Sequence, residues 1–350
     1  MNLLTKTLPQ CLKWQDPEFA EIFKHHKLNI VVDVLQKTIT QSPNLHELFD
    51  LWFGLLTQEE LEHALLSPKI WKFLIAQQQS EQFSDALKAL IQFEISVLQQ
   101  AAEPKKFIHH TSPSLQWNLL TNEARNTAGE IYKNPYKHLG FTVDLFSDLV
   151  RGEQRDIPWS DSGFTEVQCE SAVSKITAAL DFIERLSPPC FTIMQSSIHT
   201  IAVRFDSSRP RFNCASTNYV NGMVFIINPD LPEVSTETIV DALVHEMTHN
   251  LFDIAELYEP CVPTKFHPGT IRSPWTGRLL DPNTYVQACY TWYGLKNFWA
   301  LAQQRMPSQN TALYLQQAQR GFAQIEHIHA VNLSGFTFDD KIIATLQSLQ

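Results

Sequence analysis

Val240-Asp-Ala-Leu-Val-His245-Glu246-Met-Thr-His249-Asn-Leu-Phe252 is the stretch that decides how the rest of the chain is read. On an α-helix, residues four apart stand one turn above each other on one face, so the imidazoles of His245 and His249 can reach a single metal ion. Glu246 follows the first histidine and points to the side of that ion where a bound water or substrate would sit. This is the His-Glu-x-x-His spacing of metal-binding helices. Ile239, Val240, Leu243, Val244, Met247, Leu251 and Phe252 surround the pair with apolar bulk, which predicts a buried helix carrying its site into a cleft. An ordinary helix with two core histidines would show the same residue types. Five fixed-spacing positions inside an apolar helix favour the metal site.

The 350 residues suffice for one large domain or two ordinary ones, and an apolar content of 44% supports a sizeable core. A formal charge of −10 without any Lys/Arg block argues against nucleic acid as a partner. Cys11, Cys169, Cys190, Cys214, Cys261 and Cys289 are scattered with no Cys-x-x-Cys pair. That is the pattern of free thiols in a reducing compartment, not of a disulfide framework or a thiolate zinc site. No run reaches membrane-spanning length and the first ten residues lack a signal-type apolar core. The expectation is a cytoplasmic protein with no membrane partner.

Residues 15 to about 103 predict a series of helices. Asp16-Pro17 opens the first, Thr57-Gln-Glu-Glu60 is a capping box, and Phe83, Leu87, Leu90, Ile91, Phe93 and Val97 form an apolar stripe of helical period. The adjacent pairs His25-His26 and His109-His110 diverge on a helix and predict surface or loop histidines. From Glu103 to about Phe164, prolines and glycines predict loops and short helices. This seam divides an N-terminal helical region, 1–160, serving as scaffold or substrate-docking layer, from a catalytic region, 161–350. Thr165-Glu-Val-Gln168 caps a helix running to about Leu186, which Pro188-Pro189 stops.

The predicted strands are Cys190 to Met194, Ile198 to Phe205, 212–219 and 223–227, the last two flanking the hairpin signal Asn221-Gly222. As a cleft wall, the strand before the metal helix would pair with an extended peptide, with Phe225 and Asn221 as substrate contacts. Ser235 caps the metal helix. A Pro/Gly-rich loop over 259–282 carries His267, Arg272, Trp275 and Arg278. An apolar, aromatic helix follows from Asn283 to about Leu301, with further helices around 307–329 and from Thr337. No internal repeat is present.

The third metal ligand decides the chemistry. A metzincin would need glycine at 252 and a ligand at 255, where this chain has Phe252 and Ala255. A plain zinc peptidase would take a glutamate from a later helix. Glu256 lies almost two turns beyond His249, and the helix from Asn283 to Leu301 holds no Asp, Glu or His, offering only the neutral amide of Gln287. With His267 in the loop, three candidates stand: Gln287, His267 and Glu256.

His245-Glu-Met-Thr-His249, then Ser273-Pro-Trp275-Thr-Gly-Arg278-Leu-Leu-Asp-Pro282, then Val286-Gln287-Ala-Cys-Tyr290-Thr-Trp292 resembles the HExxH-type peptide β-hydroxylases of ribosomal peptide pathways. The likeness covers roughly residues 165–345. Thr276 departs from it, standing where the family usually has arginine after the tryptophan. The resemblance implies an α+β, mainly α-helical fold, with a zincin-like metal helix beside a small antiparallel sheet and a helical N-terminal region. It also implies a non-haem iron(II) oxygenase that uses 2-oxoglutarate and O2 to hydroxylate the β-carbon of a residue in a peptide, possessing or lacking a leader segment.

In such a site iron(II) takes His245, His249 and a third N or O ligand, with Gln287 first and His267 second, and keeps positions open for its co-substrates; Gln287 otherwise hydrogen-bonds a ligand. The distal carboxylate of 2-oxoglutarate needs a cation, with Arg278 first and Arg272 second. Glu246 ligates or orients water, and Trp275 and Tyr290 line the pocket, whereas Tyr285 and Trp292 at helical spacing fit a core equally. The competing reading is a zinc metallopeptidase with Glu246 as general base. A third is a peptide-binding protein whose metal site is vestigial or structural.

Overall fold

The computed structural model describes residues 2–73, 83–99, 106–107, 116–117, 123–125, 131–133, 137–145, 165–261, 270–323 and 340–349. A π-helical turn, Leu3–Thr7, runs into α1 (Leu8–Cys11), followed by α2 (Glu18–Gln41), α3 (Pro43–Gly54), α4 (Gln58–Leu65), α5 (Pro68–Trp71) and α6 (Phe83–Gln99). The Thr57 capping box forms as expected: Thr57 N–H donates to Glu60 Oε2 at 2.8 Å and Glu60 N–H to Thr57 Oγ1 at 3.3 Å. Within 103–164, expected to hold loops and short helices, the described residues include short strands. β1 (Lys106–Phe107), β2 (Gln116–Trp117), β3 (Glu123–Arg125) and β4 (Ile131–Lys133) pair in the order β1-β4-β3-β2. His109 and His110 lie outside the described residues.

A second sheet begins with β5 (Lys137–His138) and β6 (Phe141–Asp144). Next come α7 (Glu166–Leu186) and α8 (Pro188–Ser197), then β7 (Thr200–Arg204), β8 (Asn213–Ser216) and β9 (Met223–Ile227). The sheet order is β5-β6-β7-β9-β8, with β6–β7 and β7–β9 parallel and the outer pairs antiparallel. Inner parallel strands are covered on both faces, which is why β7 and β9 are buried at every position. The expected hairpin exists as β8–β9, but its connection is wider than a two-residue turn, with one 3-10 turn over Asn218–Val220. Gly222 there has φ +95°, open to glycine at no steric cost.

The strand expected over Cys190 to Met194 is corrected: that segment is helical, in α8. Pro188 and Pro189 occupy its first turn, where backbone N–H groups have no helical partner to lose, and Ser187 Oγ accepts from Cys190 N–H at 3.2 Å. The proline pair both ends α7 and starts α8. That start overrides the β-propensity of the residues behind it.

The helix that carries His245 and His249 is α9 (Thr236–Tyr258). A short hairpin, β10 (Ile271–Arg272) and β11 (Leu279–Leu280), leads into α10 (Pro282–Arg305), α11 (Gln309–Phe322) and α12 (Asp340–Ser348). The expected helix start at Thr337 lies outside the described residues. The chain is thus mainly helical with small sheets. Among the described residues no helix is long and apolar enough to cross a membrane.

The chain divides into two compact units, each discontinuous in sequence. One comprises residues 1–23, 178–197 and 235–350; the other comprises 24–177 and 198–234. The expected boundary near residue 160 falls in 146–164, outside the described residues. In the unit holding α9, the N-terminal segment is part of the core. The Glu259 carboxylate, just past α9, accepts from Leu4 N–H at 2.9 Å, Thr5 N–H at 3.1 Å and Thr5 Oγ1 at 2.8 Å. Trp14 Nε1 donates to the Gly294 carbonyl of α10 at 2.8 Å. A Cβ at Gly294 would sit 3.1 Å from the Trp14 ring and 3.2 Å from Thr248 Oγ1, so glycine lets α10 close on α9.

The other unit has a helical core of Val31, Leu35, Phe49, Trp52, Trp71 and Ile91. Trp71 Nε1 donates to the Asn218 carbonyl at 2.8 Å, and Lys27 Nζ to the Asn221 carbonyl at 3.1 Å, tying these helices to the β8–β9 connection. Burial pushes the Lys27 amine down to about 7. Between that value and the ordinary 10.5, the unfolded chain binds a proton that the folded chain does not, so folded stability rises with pH across this window. Lys27→Met is expected to raise the melting temperature at pH 7 and to remove on the order of 2 kcal/mol of the stability gain between pH 7 and pH 9. Parallel melts of both proteins at the two pH values check this.

Candidate metal centre

Ser235 Oγ accepts from Thr238 N–H at 3.2 Å and starts α9, which is buried along most of its length. His245 and His249 stand half-buried on it, their Nε2 atoms 3.0 Å apart and ring centroids 4.8 Å apart. Two nitrogens at that separation, each about 2.0–2.1 Å from a shared ion, would subtend roughly 90° at it. The pair therefore has the geometry of two neighbouring ligands of one divalent metal. Burial, with His245 beside it, pushes His249 down to about 4, so its imidazole is neutral at physiological pH, the form that binds metal.

The histidines belong to a longer polar row. Asp241, His245, His249, Asp253 and Glu256 repeat every four or three residues along α9, and α10 answers them in reverse order. Trp299 Nε1 donates to Asp241 Oδ1 at 2.7 Å. The Trp292 and His245 rings stand perpendicular at 88°, their centroids 6.3 Å apart. The Gln287 side chain acts on His249, opposing the lowering of its pKa, and donates from Nε2 to Asp253 Oδ1 at 3.3 Å. Asn283 Nδ2 donates to Glu256 Oε1, which also accepts from Cys261 Sγ at 3.2 Å. Falling numbers on α10 against rising numbers on α9 mean that the two helices pack antiparallel. Burial raises Asp241 to about 6; burial, together with the Glu256 and Glu246 charges, raises Asp253 to about 8.

The structure thus brings His245, His249 and Gln287 together. Glu246 is only 4% exposed beside His245, and its backbone carbonyl accepts from Asn250 Nδ2 at 2.9 Å. Glu256 is engaged by Asn283 and Cys261, and His267 lies outside the described residues. Among the described residues no three His, Cys, Asp or Glu side chains are grouped to hold a metal. The chemistry of the two neutral imidazoles suits a divalent metal, and on α10 the amide of Gln287 is the polar side chain next to them.

The other expected site residues stand elsewhere. Trp275 stacks on Trp292 at 5.7 Å and 6°, packs against Phe322 at 5.0 Å, and donates from Nε1 to the Ala318 carbonyl of α11 at 2.9 Å. It anchors the β10–β11 hairpin against α10 and α11. Arg272 and Arg278 are exposed on that hairpin, and Arg272 Nη1 donates to the Gly277 carbonyl at 2.6 Å. Tyr290 is fully buried against Phe252, with its hydroxyl donating to the Leu4 carbonyl at 2.8 Å, and Tyr285 is also core. Phe225 and Asn221 belong to the other unit, both fully buried there, Phe225 in the core of its sheet.

Asp241 and Asp253 were legible in one respect that the motif alone hides: they stand four residues before His245 and four after His249, on the same face. Comparison with protein-family models and with curated proteins gives no match to this chain.

Gly321 on α11 sits so close to Trp275 that an added Cβ would overlap the indole. Gly321→Ala is expected to push Trp275 off its stack with Trp292 and to cost about 1–3 kcal/mol of stability, as overpacking does. Loss of the near-ultraviolet circular dichroism of the stacked tryptophans, with a lowered melting temperature, checks it.

Proposed function

We propose that this chain is a non-haem iron(II), 2-oxoglutarate-dependent oxygenase that hydroxylates the β-carbon of a residue in a ribosomally made peptide or protein, acting in the cytoplasm. The observation that carries the reading is the imidazole pair, Nε2 to Nε2 3.0 Å, with the neutral Gln287 amide beside it. Two imidazoles and a neutral third group leave coordination positions for a bidentate co-substrate and O2, as iron(II) chemistry of this kind requires. The likeness of residues 273–282 and of the helix after them to peptide β-hydroxylases supports the same reading. Six cysteines outside any disulfide suit a reducing compartment.

Bound iron(II) and 2-oxoglutarate supply the oxidation: one oxygen of O2 enters a peptide C–H bond and the other enters succinate, with CO2 released. The chain's own residues bind and orient. His245 and His249 hold the metal as neutral imidazoles, and Gln287 either completes that set or fixes the His249 ring by its hydrogen bond. Glu246, buried next to His245, orients water or joins the metal. Arg278, with Arg272 beside it on the same hairpin, offers the distal carboxylate a guanidinium fork. The Trp275–Trp292 stack joins that hairpin to the ring that packs perpendicular to His245. Helices α2–α6 are the candidate layer for a leader segment.

Apo-protein given iron(II) without O2 and titrated with 2-oxoglutarate is expected to develop the weak visible charge-transfer band of the chelated complex. The band should vanish in His249→Ala, require more 2-oxoglutarate in Arg278→Ala, and require about 10-fold more iron in Gln287→Ala. No band, together with tightly held zinc and a peptide cleavage abolished by Glu246→Gln, would replace the oxygenase with a zinc metallopeptidase in which Glu246 is the general base.

A further inference from the structure

A second pair of imidazoles meets in the unit that does not contain α9. His63, in the last turn of α4, and His199, just before β7, are 136 residues apart in sequence, yet their Nε2 atoms lie 2.9 Å apart. Their ring centroids are 4.4 Å apart and their planes 39° from parallel. This is nearly the separation of the His245–His249 pair, reached by tertiary packing and not by helical spacing.

We propose that His63 and His199 form a second metal site, a two-imidazole chelate for a divalent transition ion of the zinc, nickel or copper(II) class. Three features preorganise it. His199 Nδ1 lies 3.1 Å from Thr200 Oγ1; donating there, it leaves the Nε2 lone pair aimed at His63. The His199 backbone N–H donates to the Gly222 carbonyl at 2.8 Å, so the ring is carried at the start of β7, the central strand of the sheet. On the opposite side, α4 is fixed by its capping box, and Glu62, next to His63, pairs with Lys24 at 3.1 Å. That pair offsets the Lys24 charge.

With Nδ1–H of His199 given to Thr200, the metal-free contact places the His63 proton on Nε2, donating to His199. On metal binding that proton moves to His63 Nδ1, both Nε2 lone pairs face the ion, and no net proton is released. Two nitrogens about 2.0–2.1 Å from a common ion and 2.9 Å apart again subtend roughly 90°. Imidazole is a borderline-soft ligand, which selects these ions over magnesium or calcium. His63 is exposed and His199 half-buried, so the pair is within reach of an ion in solution.

The test is zinc titration by calorimetry and by thermal shift, using the full chain. In His245→Ala/His249→Ala, where the α9 pair is gone, one zinc per chain is expected to bind and raise the melting temperature. Adding His63→Ala, or separately His199→Ala, should abolish both effects. As a control against misfolding of that background, His63→Gln in the otherwise natural chain should remove one equivalent of zinc and leave the iron-dependent band of the α9 site unchanged. Zinc uptake that persists in both His63 and His199 variants, or no zinc binding once the α9 pair is removed, overturns the proposal without touching the reading of the α9 site.

Discussion

A helix that is buried along most of its length and still carries five ionisable side chains on one face must find a partner for each. In this protein that constraint falls on the α9–α10 contact. Indole, amide and imidazole groups meet in antiparallel order, from Trp299 on Asp241 at one end to Asn283 on Glu256 at the other. An unpaired buried polar group costs roughly 1–3 kcal/mol, so the register of α10 against α9 is set by this row as much as by apolar packing. Gly294 is the permissive element, because a side chain there would hold the helices apart at Thr248.

The N-terminal segment enters by the same logic. The last turn of α9 ends at Glu259, whose carboxylate needs donors, and the backbone N–H groups of Leu4 and Thr5 at the start of the π-helical turn need acceptors. Each end satisfies the other. Tyr290 of α10 then closes the triangle through the Leu4 carbonyl. Residues 3–14 are therefore part of the frame around the imidazole pair, and shortening the chain from its beginning would open that frame before reaching α2.

Much of the centre was legible in the sequence because its information is local. The spacing of His245 and His249 fixes a shared face on any helix, and Ser235 and Thr57 cap helices through hydrogen bonds that span three residues. What was not legible is set by distant contacts. The partners on α10 depend on the register of two helices, which no single-helix pattern encodes. Trp275 and Tyr290 read equally as pocket or packing residues until Ala318 and Leu4 are seen to accept from them. The α8 segment misleads because the β-branched and aromatic character of Cys190 to Met194 is a weak preference. Two prolines poised at a helix start, with Ser187 to cap it, outweigh that preference.

The two imidazole pairs make the difference between local and distant information physical. The His245–His249 geometry survives as long as α9 is helical, so a metal there adds to an arrangement the helix already has, and its strength is tuned by what α10 supplies. The His63–His199 geometry exists only when α4 and the start of β7 are both in place. An ion bound there has no comparable chelate in the unfolded chain, so its binding free energy is coupled in full to the folding of that unit. The same separation between nitrogens thus has two thermodynamic meanings: in α9 it is fixed by one helix alone, and between α4 and β7 it would make a bound ion a reporter of whether the unit around it has closed.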